Sequence, residues 1–231
     1  MKCVFSWSGG KDSALALYKV LKSKEFDVVG LLTTFNEANK RVSMHGVTQE
    51  FIEEQAKAIG VPLISIYLPE NSSMEMYNQI MHTILLEQKG KGVQGVIFGD
   101  IFLDDLRQYR EKQLGKLGLM AFFPLWNMST NNVADEFIAA GFKAVVSCVD
   151  GSLLKKTMAG KMYNRNFIAD LPVNVDVCGE NGEFHSFVFD GPIFKNPILY
   201  KRGKNVARNY ANSQEGNTKT FWFADLNVVS K

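Results

Sequence analysis

The chain has 231 residues, of which 46% are hydrophobic and 22% are charged, and its formal net charge is +2. These values are typical of globular proteins, so they exclude a disordered or collagen-like chain and give no global charge that would attract DNA. At about 150 residues per domain, the length predicts one large domain or a domain with an appendage. Residues 201–231 are basic and are interpreted as a solvated end: they hold Lys201, Arg202, Lys204, Arg208, Lys219 and Lys231 against Glu215 and Asp225.

Three cysteines and three histidines are scattered along the chain, without a Cys-x-x-Cys motif or histidines at ligand spacing. A zinc site is therefore not expected, and cysteines without a disulfide framework suit a reducing compartment. No apolar run approaches the roughly 20 residues that span a bilayer, and the first residues lack the apolar region of a signal peptide. We expect a cytoplasmic protein without a membrane partner.

In the first half of the chain, short apolar runs alternate with amphipathic stretches. Ser72 and Glu75 have the spacing of a capping box, and another helix is expected to end at Gly60. The alternation predicts an α/β fold, with a parallel sheet that helices cover on both faces. The expected strands lie at 3–5, 28–32, 63–68, 93–98, 119–125 and 143–149.

After about residue 150 the pattern changes to strand-like runs with little helical periodicity, the clearest of them at 173–177 and 184–189. We expect antiparallel or mixed β structure in this part. No low-complexity linker separates the two halves, so we expect them to pack closely. The predicted boundary gives a first domain at 1–128 and a smaller α+β domain at 129–231.

The strongest local motif is Ser8-Gly9-Gly10-Lys11-Asp12-Ser13, directly between the first strand and the first helix. Glycines let a ligand approach the backbone closely, and the first turn of a helix offers unpaired N–H groups. Lys11 adds a positive charge and the serines add hydroxyl donors, so we expect a phosphate or pyrophosphate here. The motif is not a Walker A loop, because Phe5 stands where that loop needs glycine and Asp12 follows the lysine. A tight turn without a ligand is the alternative.

These six residues resemble the PP-loop of the ATP pyrophosphatase superfamily, whose members cleave ATP between the α and β phosphates. The segments 98–101, 165–172 and 179–184 resemble the diphthine–ammonia ligase family, and the similarity spans most of residues 1–200. The resemblance implies a Rossmann-like sheet, of the adenine nucleotide alpha hydrolase type, that binds ATP beneath a C-terminal substrate domain. It implies further that ATP and Mg²⁺ are used, with loop donors stabilising the departing pyrophosphate.

The second motif, Glu180-Asn181-Gly182-Glu183-Phe184-His185, combines two carboxylates with an imidazole. Taken alone, Asn181-Gly182 predicts a type I′ hairpin turn and nothing more. Glu180, Glu183 and His185 can bind ammonium, hold magnesium or deprotonate an amine, and the resemblance favours such a function. The family usually has Glu-Gly-Gly-Glu-aromatic-Glu here, so Asn181 and His185 are departures that are typical of a bacterial-type branch. Because an imidazole stands where the family has an obligate anion, the departures leave the identity of the acceptor open.

The ends of the other strands supply further candidates, because ligands in open α/β sheets bind at the carboxyl ends of strands. Thr33 is expected to contact adenine or ribose, and Gly99 is expected to lie beside the nucleotide. Asp12 and Asp100 are expected to coordinate Mg²⁺, with a turn or N-cap aspartate as the alternative for Asp100. His45 has two open interpretations, a nucleotide contact and a solvated loop histidine.

Four other residues receive mainly structural interpretations. Arg107 and Arg110 could contact phosphate, but arginines on a helix surface are more often solvated. Cys148 and Cys178 could indicate sulfur transfer, but their apolar neighbours favour ordinary buried cysteines.

The combined prediction is an AMP-forming, ATP-dependent ligase that adenylates a carboxylate and amidates it with ammonia. The carboxylate is a small molecule or is carried on a protein, RNA is not expected as a partner, and a homodimer is left open. The alternatives are a PP-loop enzyme that adenylates a tRNA base and a nucleotide-binding sensor without turnover. The predicted catalytic residues are Lys11, Asp12, Glu183 and His185, and the predicted substrate-binding residues are Glu180, Asn181, Glu183 and His185.

Overall fold

The first sheet of the protein consists of five parallel strands, which confirms the predicted α/β class. The computed structural model describes residues 1–42, 46–211 and 218–229. The strand order is β3-β2-β1-β4-β5. These strands are β1 (Lys2–Ser6), β2 (Asp27–Asn36), β3 (Leu63–Leu68), β4 (Gly95–Ile97) and β5 (Met120–Phe122). The connecting helices are α1 (Lys11–Ser23), α2 (Gln49–Ile59), α3 (Met74–Gly90) and α4 (Asp104–Gly115).

The strand order reverses on the two sides of β1, which is the first strand in the chain. From β1 the chain builds outward through β2 and β3, and it then returns to the other side of β1 with β4. Such a switch point leaves a crevice beyond the carboxyl ends of the two central strands, where ligands of α/β proteins bind. The loops that follow β1 and β4 therefore meet at the place where a site is expected.

The ends of two helices show how local sequence sets their bounds. Gly60 follows α2 with a φ of 84°, a left-handed conformation that favours glycine, as expected. The helix α3 begins one residue later than the predicted capping box. Ser73 rather than Ser72 is the N-cap, and its side chain accepts a hydrogen bond from the Met76 N–H.

The second half forms a mostly antiparallel sheet that begins after α5 (Thr130–Ala139). Its central strand is β6 (Lys143–Asp150), so the apolar run at 143–149 is not part of the parallel sheet. The strands around it are β7 (Met162–Tyr163), β8 (Phe184–Asp190), β10 (Val206–Ala211) and β11 (Thr218–Phe223). The short helix α6 (Arg165–Ala169) precedes β8, and β9 (Tyr200–Arg202) pairs with β12 (Leu226–Val228).

Two predictions for this half are wrong. The run at 173–177 forms no strand, and Val173 is fully exposed, because its alternating pattern has no neighbouring strand to pair with. Asn181-Gly182 is not a type I′ hairpin turn. Gly182 has a φ of 86°, but Asn181 is not among the residues with positive φ, and a strand follows this turn without one before it.

The two halves share one apolar core. Aromatic rings from both halves pack together. The ring centroids of Phe51 in α2 and Phe187 in β8 are 4.6 Å apart, and those of Tyr18 in α1 and Phe142 are 5.8 Å apart. The close packing that the sequence predicted follows from this shared core, and the boundary near residue 128 stays a prediction. Among the described residues, no helix has the length and apolar character that crossing a membrane requires.

Candidate functional site

The Ser8–Ser13 loop runs from the carboxyl end of β1 into the first turn of α1. Its own side chains hold its shape. The Ser8 hydroxyl lies 3.1 Å from the Ser13 hydroxyl and accepts a hydrogen bond from the Gly10 N–H at 3.3 Å. The Ser13 hydroxyl also donates to the Gly10 carbonyl at 2.9 Å. The backbone thus presents the start of a helix to the crevice. The Gly10 and Lys11 N–H groups donate to serine hydroxyls, so an anion would accept hydrogen bonds from the N–H groups that follow them in the first turn.

Gly9 is required by the packing behind the loop. Its φ is 78°, and a Cβ at this position would lie 2.7 Å from Gln55 Oε1 and from Ile52 Cδ1. Its carbonyl oxygen accepts hydrogen bonds from the Val188 N–H and from Gln55 Nε2, both at 3.0 Å. The glycine therefore lets α2 and β8 fix the loop from the side opposite the crevice.

Lys11 does not extend freely towards a ligand, contrary to the expectation of a cation offered to phosphate. Its side chain is 3% exposed, and its Nζ donates to the two Asp12 carboxylate oxygens at 2.9 and 2.8 Å and to the Cys178 carbonyl. Burial disfavours the ammonium, but Asp12 and its other polar neighbours outweigh burial and raise the pKa of Lys11. The charged lysine ties the loop to the second half of the chain.

Glu183 is buried inside the second motif and organises it. Its carboxylate accepts hydrogen bonds from the Asp176 N–H, the Asn181 N–H and the Asn181 side-chain amide, at 3.0 to 3.1 Å. The residue is 3% exposed and does not line the cavity that its neighbours line. The sequence predicted a catalytic, substrate-binding glutamate here, but the position is that of a residue that shapes the turn. Asn181 is partly committed to this turn as well.

Glu180 is the carboxylate of this motif that faces the crevice. It accepts a hydrogen bond from the Ile101 N–H at 3.2 Å, which links the motif to the end of β4. Burial, followed by the nearby Asp12 carboxylate, raises the pKa of Glu180 from 4.5 to about 7. A carboxyl group of this kind can release and take up a proton near neutral pH, as a general acid or base must.

Two side chains of β8 complete this wall. His185 lines the crevice and lies opposite Cys148 of β6, and its predicted catalytic and substrate-binding parts stay predictions. Ser186 is buried, and its Oγ accepts a hydrogen bond from the Lys11 N–H at 3.1 Å. Ser186 was not predicted from the sequence, because no local pattern reveals a hydrogen bond between a hydroxyl and a backbone group 175 residues away. Cys148 and Cys178 are buried and free, as expected.

The end of β4 supplies the third side of the crevice. A Cβ on Gly99 would lie 2.9 Å from the Ser13 backbone nitrogen, so this glycine lets β4 approach the start of α1. The Asp100 carboxylate pairs with Arg110 of α4: Oδ2 lies 2.7 Å from Nε, and Nη2 donates to Oδ1 at 3.2 Å. Burial raises the pKa of Asp100, although Arg110 opposes the change. Arg110 is thus a component of the site, and not a solvated surface arginine.

These three walls surround one cavity of about 460 Å³, the large cavity. Next to it lies a small cavity of about 190 Å³, whose lining is mainly apolar and aromatic. Both cavities are lined by Ser6, Ser8, Phe98 and Arg110. The small cavity adds Trp7, Leu32, Thr34, Val42, Tyr77, Met81, Leu85 and Val96. The large cavity holds most of the charged side chains and the small one holds Trp7 and Tyr77, so together they suit a ligand with a charged end and a flat end.

Thr33 lies outside both cavities. It is 1% exposed, and its hydroxyl donates to the Trp7 carbonyl at 2.7 Å, so this placement does not support the predicted contact with adenine or ribose. Successive side chains of a strand point to opposite faces of the sheet, and Thr34 is the residue that lines the small cavity. His45 lies outside the described residues.

Asp12 and Asp100, the predicted Mg²⁺ ligands, both line the large cavity. Each carboxylate is paired with a cation, Lys11 for the first and Arg110 for the second. Within residues 1–42, 46–211 and 218–229, no group of three or more His, Cys, Asp or Glu side chains is placed to hold a metal ion. Proteins commonly bind Mg²⁺ through one or two carboxylates and the phosphates of a substrate. The two aspartates fit an ion that arrives with a nucleotide.

Comparison with known proteins identifies the family. The diphthine–ammonia ligase of Danio rerio is 25% identical over 239 residues, which cover 89% of this chain and 89% of that protein. The diphthine–ammonia ligase of Mus musculus is 25% identical over 223 residues, with 86% and 82% covered. Among solved structures, a predicted subunit of tRNA methyltransferase from Methanocaldococcus jannaschii has 16% identity and a TM-score of 0.40, and the match covers 65% of this chain and 80% of that chain.

Two family models match the chain itself. The model of the diphthamide synthase N-terminal domain matches residues 1–121, and that of the C-terminal domain matches residues 129–222. These matches confirm the family that the two sequence motifs predicted, while the assignment to a bacterial-type branch stays a prediction. The chain belongs to the diphthamide synthase family.

Proposed function

We propose that this protein is an ATP-dependent ligase that converts a carboxylate to an amide in two steps at the large cavity. In the first step, a carboxylate oxygen attacks the α-phosphorus of ATP, and pyrophosphate leaves. In the second step, ammonia attacks the carbonyl carbon of the acyl-adenylate, AMP leaves, and the nitrogen loses a proton. The names of the relatives support a ligase of this type.

One observation carries the proposal: the anion-binding loop and a titratable carboxylate line the same cavity. The Ser8–Ser13 loop begins a helix there, and Glu180 lies on the opposite wall. A leaving pyrophosphate needs fixed N–H donors, and an attacking ammonia needs a group that accepts its proton. A binding site for a nucleotide alone would require only the loop.

The loop residues have separate parts in the first step. The N–H groups in the first turn of α1 and the Ser8 hydroxyl would bind the phosphates that leave, while the Ser13 hydroxyl holds the loop through the Gly10 carbonyl. Lys11 would act mainly through position, since its ammonium holds Asp12 in place. Asp12 and Asp100 would hold the Mg²⁺ that accompanies ATP, whose charge offsets the charge that builds on the phosphates.

Glu180 would be the base of the second step. Ammonium must lose a proton before its nitrogen can attack, and a carboxylate with a pKa of about 7 can take that proton near neutral pH. His185, which lines the same cavity, would contact the acceptor. Glu183 would act indirectly, because its hydrogen bonds fix the turn that carries Glu180.

A product assay tests this proposal directly. The protein is incubated with ATP, Mg²⁺ and ammonium chloride in the presence of candidate carboxylates, including elongation factor two that carries diphthine, and AMP and ADP are separated. We expect AMP and pyrophosphate with at least one carboxylate, and none with the Asp12→Ala variant.

Other outcomes would identify the alternatives or exclude the ligase. Release of AMP that tRNA stimulates and carboxylates do not would indicate an enzyme that adenylates a base. Tight ATP binding without turnover under any of these conditions would indicate a sensor. Formation of ADP and orthophosphate would exclude cleavage between the α and β phosphates.

A further inference from the structure

The large and small cavities share a wall of four residues, and Arg110 is the one cationic side chain among them. Of the lysines and arginines in the described part of the chain, Lys11 and Arg110 line the large cavity, and Arg110 alone also lines the small one. Lys11 is committed to Asp12 and to the Cys178 carbonyl. The positive charge at the junction therefore comes from Arg110.

The residues that line the two cavities indicate how a nucleotide would lie across this junction. A flat base suits the small cavity, with its apolar and aromatic lining, and the polyphosphate suits the large cavity beside the Ser8–Ser13 loop. The base and the terminal phosphates are joined through the ribose and the α-phosphate. These connecting groups must then lie at the wall that the two cavities share.

Arg110 is held in a fixed orientation at this wall. Its guanidinium carbon lies 4.2 Å from the centroid of the Phe98 ring, and Nε and Nη2 face the Asp100 carboxylate. A guanidinium has five N–H donors, so a pair with one carboxylate leaves donors for a phosphate. A donor that is oriented before the ligand binds needs little reorganisation when charge develops next to it.

We propose that Arg110 binds the α-phosphate of the nucleotide, with Asp100 as its positioning residue. This inference rests on the proposed function, because the α-phosphorus is the atom that the acceptor attacks. It assigns a substrate contact to a helix that lies outside both sequence motifs. It also gives Asp100 a part besides that of a metal ligand.

Binding of AMP and adenosine, measured by calorimetry on the full chain, tests the assignment without knowledge of the acceptor. The two ligands differ by the α-phosphate alone. We expect the wild type to bind AMP about tenfold more tightly than adenosine, the size of a charge-assisted hydrogen bond. In R110Q the two affinities should agree within about twofold, while the affinity for adenosine is unchanged, and R110K should restore part of the difference.

Arg107 provides the matched control. It lies one turn earlier on α4, pairs with Glu111 and stacks 4.6 Å from the centroid of the Trp126 ring, and it lines neither cavity. R107Q should therefore keep the full preference for AMP. Thermal unfolding of each variant separates loss of a contact from loss of the fold, and R110M, which also lacks the charge, provides the test if R110Q unfolds.

The possible failures are distinguishable. If R110Q, or R110M in its place, retains the tenfold preference, the assignment is wrong while the proposed function stands. If the wild type binds AMP no better than adenosine, the assignment is also overturned. If the wild type binds no adenine nucleotide at all, both the proposed function and the assignment fail.

Discussion

The two loops that face the large cavity achieve their shapes in different ways. The Ser8–Ser13 loop has hydrogen bonds of its own serines, but it is also fixed from behind by α2 and β8, and Gly9 is the residue that permits this contact. The loop at 178–186 is fixed from within, by the buried carboxylate of Glu183. In the first loop the charged lysine is directed into the protein, whereas in the second a carboxylate, Glu180, faces the cavity.

This difference shows that a charged residue in a motif can serve the shape of the site without touching the substrate. Lys11 and Glu183 are among the most buried charged residues of the described chain, at 3% exposure each, and both hold backbone segments together. Glu180 and Arg110 are less buried and line the cavity. Lys11 also lines the large cavity, but its ammonium is committed to Asp12 and to the Cys178 carbonyl. The degree of burial therefore separates the groups available for chemistry from those that build the walls.

The largest expected effect tests whether packing fixes the first loop. Gly9→Ala should lower the free energy of unfolding by about 3 kcal/mol, since the methyl group meets two side chains and the backbone stays left-handed. Gly182→Ala is the matched control, because Gly182 also has a positive φ but open space around it, and it should cost about 1 kcal/mol. If chemical denaturation shows equal losses in the free energy of unfolding for the two variants, the contacts behind the loop do not contribute to stability.

The second prediction compares the two glutamates of the other loop. Glu183→Gln should lower the free energy of unfolding by about 2 kcal/mol, because a buried carboxylate with three N–H donors is replaced by an amide that can accept fewer of them. At about pH 4.5, where the Glu180 carboxyl of the folded protein is protonated, Glu180→Gln should change it by less than about 1 kcal/mol, since the amide oxygen can still accept from Ile101. Urea denaturation measures both, and the reverse order would contradict the structural assignment of Glu183.

The pH dependence of amide formation sharpens the catalytic side of the comparison. Burial and the nearby Asp12 raise the pKa of Glu180 to about 7, so the basic form accumulates as the pH rises through that value. The rate should increase about tenfold per pH unit below pH 7 and level off above it, and Glu180→Gln should remove this step. A step that persists in this variant would assign the titration to another group.

The raised pKa of Glu180 also affects the stability of the folded protein. A carboxyl group with a raised pKa in the folded state contributes stability that is fully present below pH 4.5 and is lost as the pH rises through about 7. The free energy of unfolding of the wild type should therefore fall relative to that of Glu180→Gln between these values. Chemical denaturation at several pH values measures the difference, and parallel curves for the two proteins would contradict the shift.

The smallest expected effect separates two adjacent threonines of β2. Thr33→Val should cost about 1 kcal/mol of stability through the lost hydrogen bond to Trp7, and it should leave ATP affinity unchanged. Thr34→Leu should lower ATP affinity, because the larger side chain enters the small cavity. Calorimetric titration with ATP compares the variants, and a loss of affinity in Thr33→Val alone would restore Thr33 as a nucleotide contact.

Much of the first half could be predicted from the sequence, because its elements are set by local patterns. The apolar runs gave the five parallel strands, although β2 (Asp27–Asn36) extends beyond the predicted 28–32. The run at 143–149 was misplaced, since periodicity alone does not tell a buried strand of one sheet from that of another. The run at 173–177 alternates like a strand but has no partner strand.

The sequence could predict which motifs form the candidate site, but it could not predict where their side chains point. Most of the predicted loop and several other predicted residues line the large cavity: Ser8, Gly10, Lys11, Asp12, Ser13, Asp100, Glu180 and His185. The inward direction of Lys11 and the approach of Ser186 depend on contacts between segments more than 160 residues apart. Arg110 was undervalued for a similar reason, because its partner Asp100 lies outside its own helix.

The central claim is that ATP lies across the two cavities, with its phosphates at the Ser8–Ser13 loop. A crystal structure of the protein with Mg²⁺ and an ATP analogue that carries a methylene group between the α and β phosphorus atoms tests it most directly. The account predicts the adenine in the small cavity, beside Tyr77 and Thr34, and the β and γ phosphates at the N–H groups that begin α1. An analogue bound with its base in the large cavity, or away from the loop, would contradict the account.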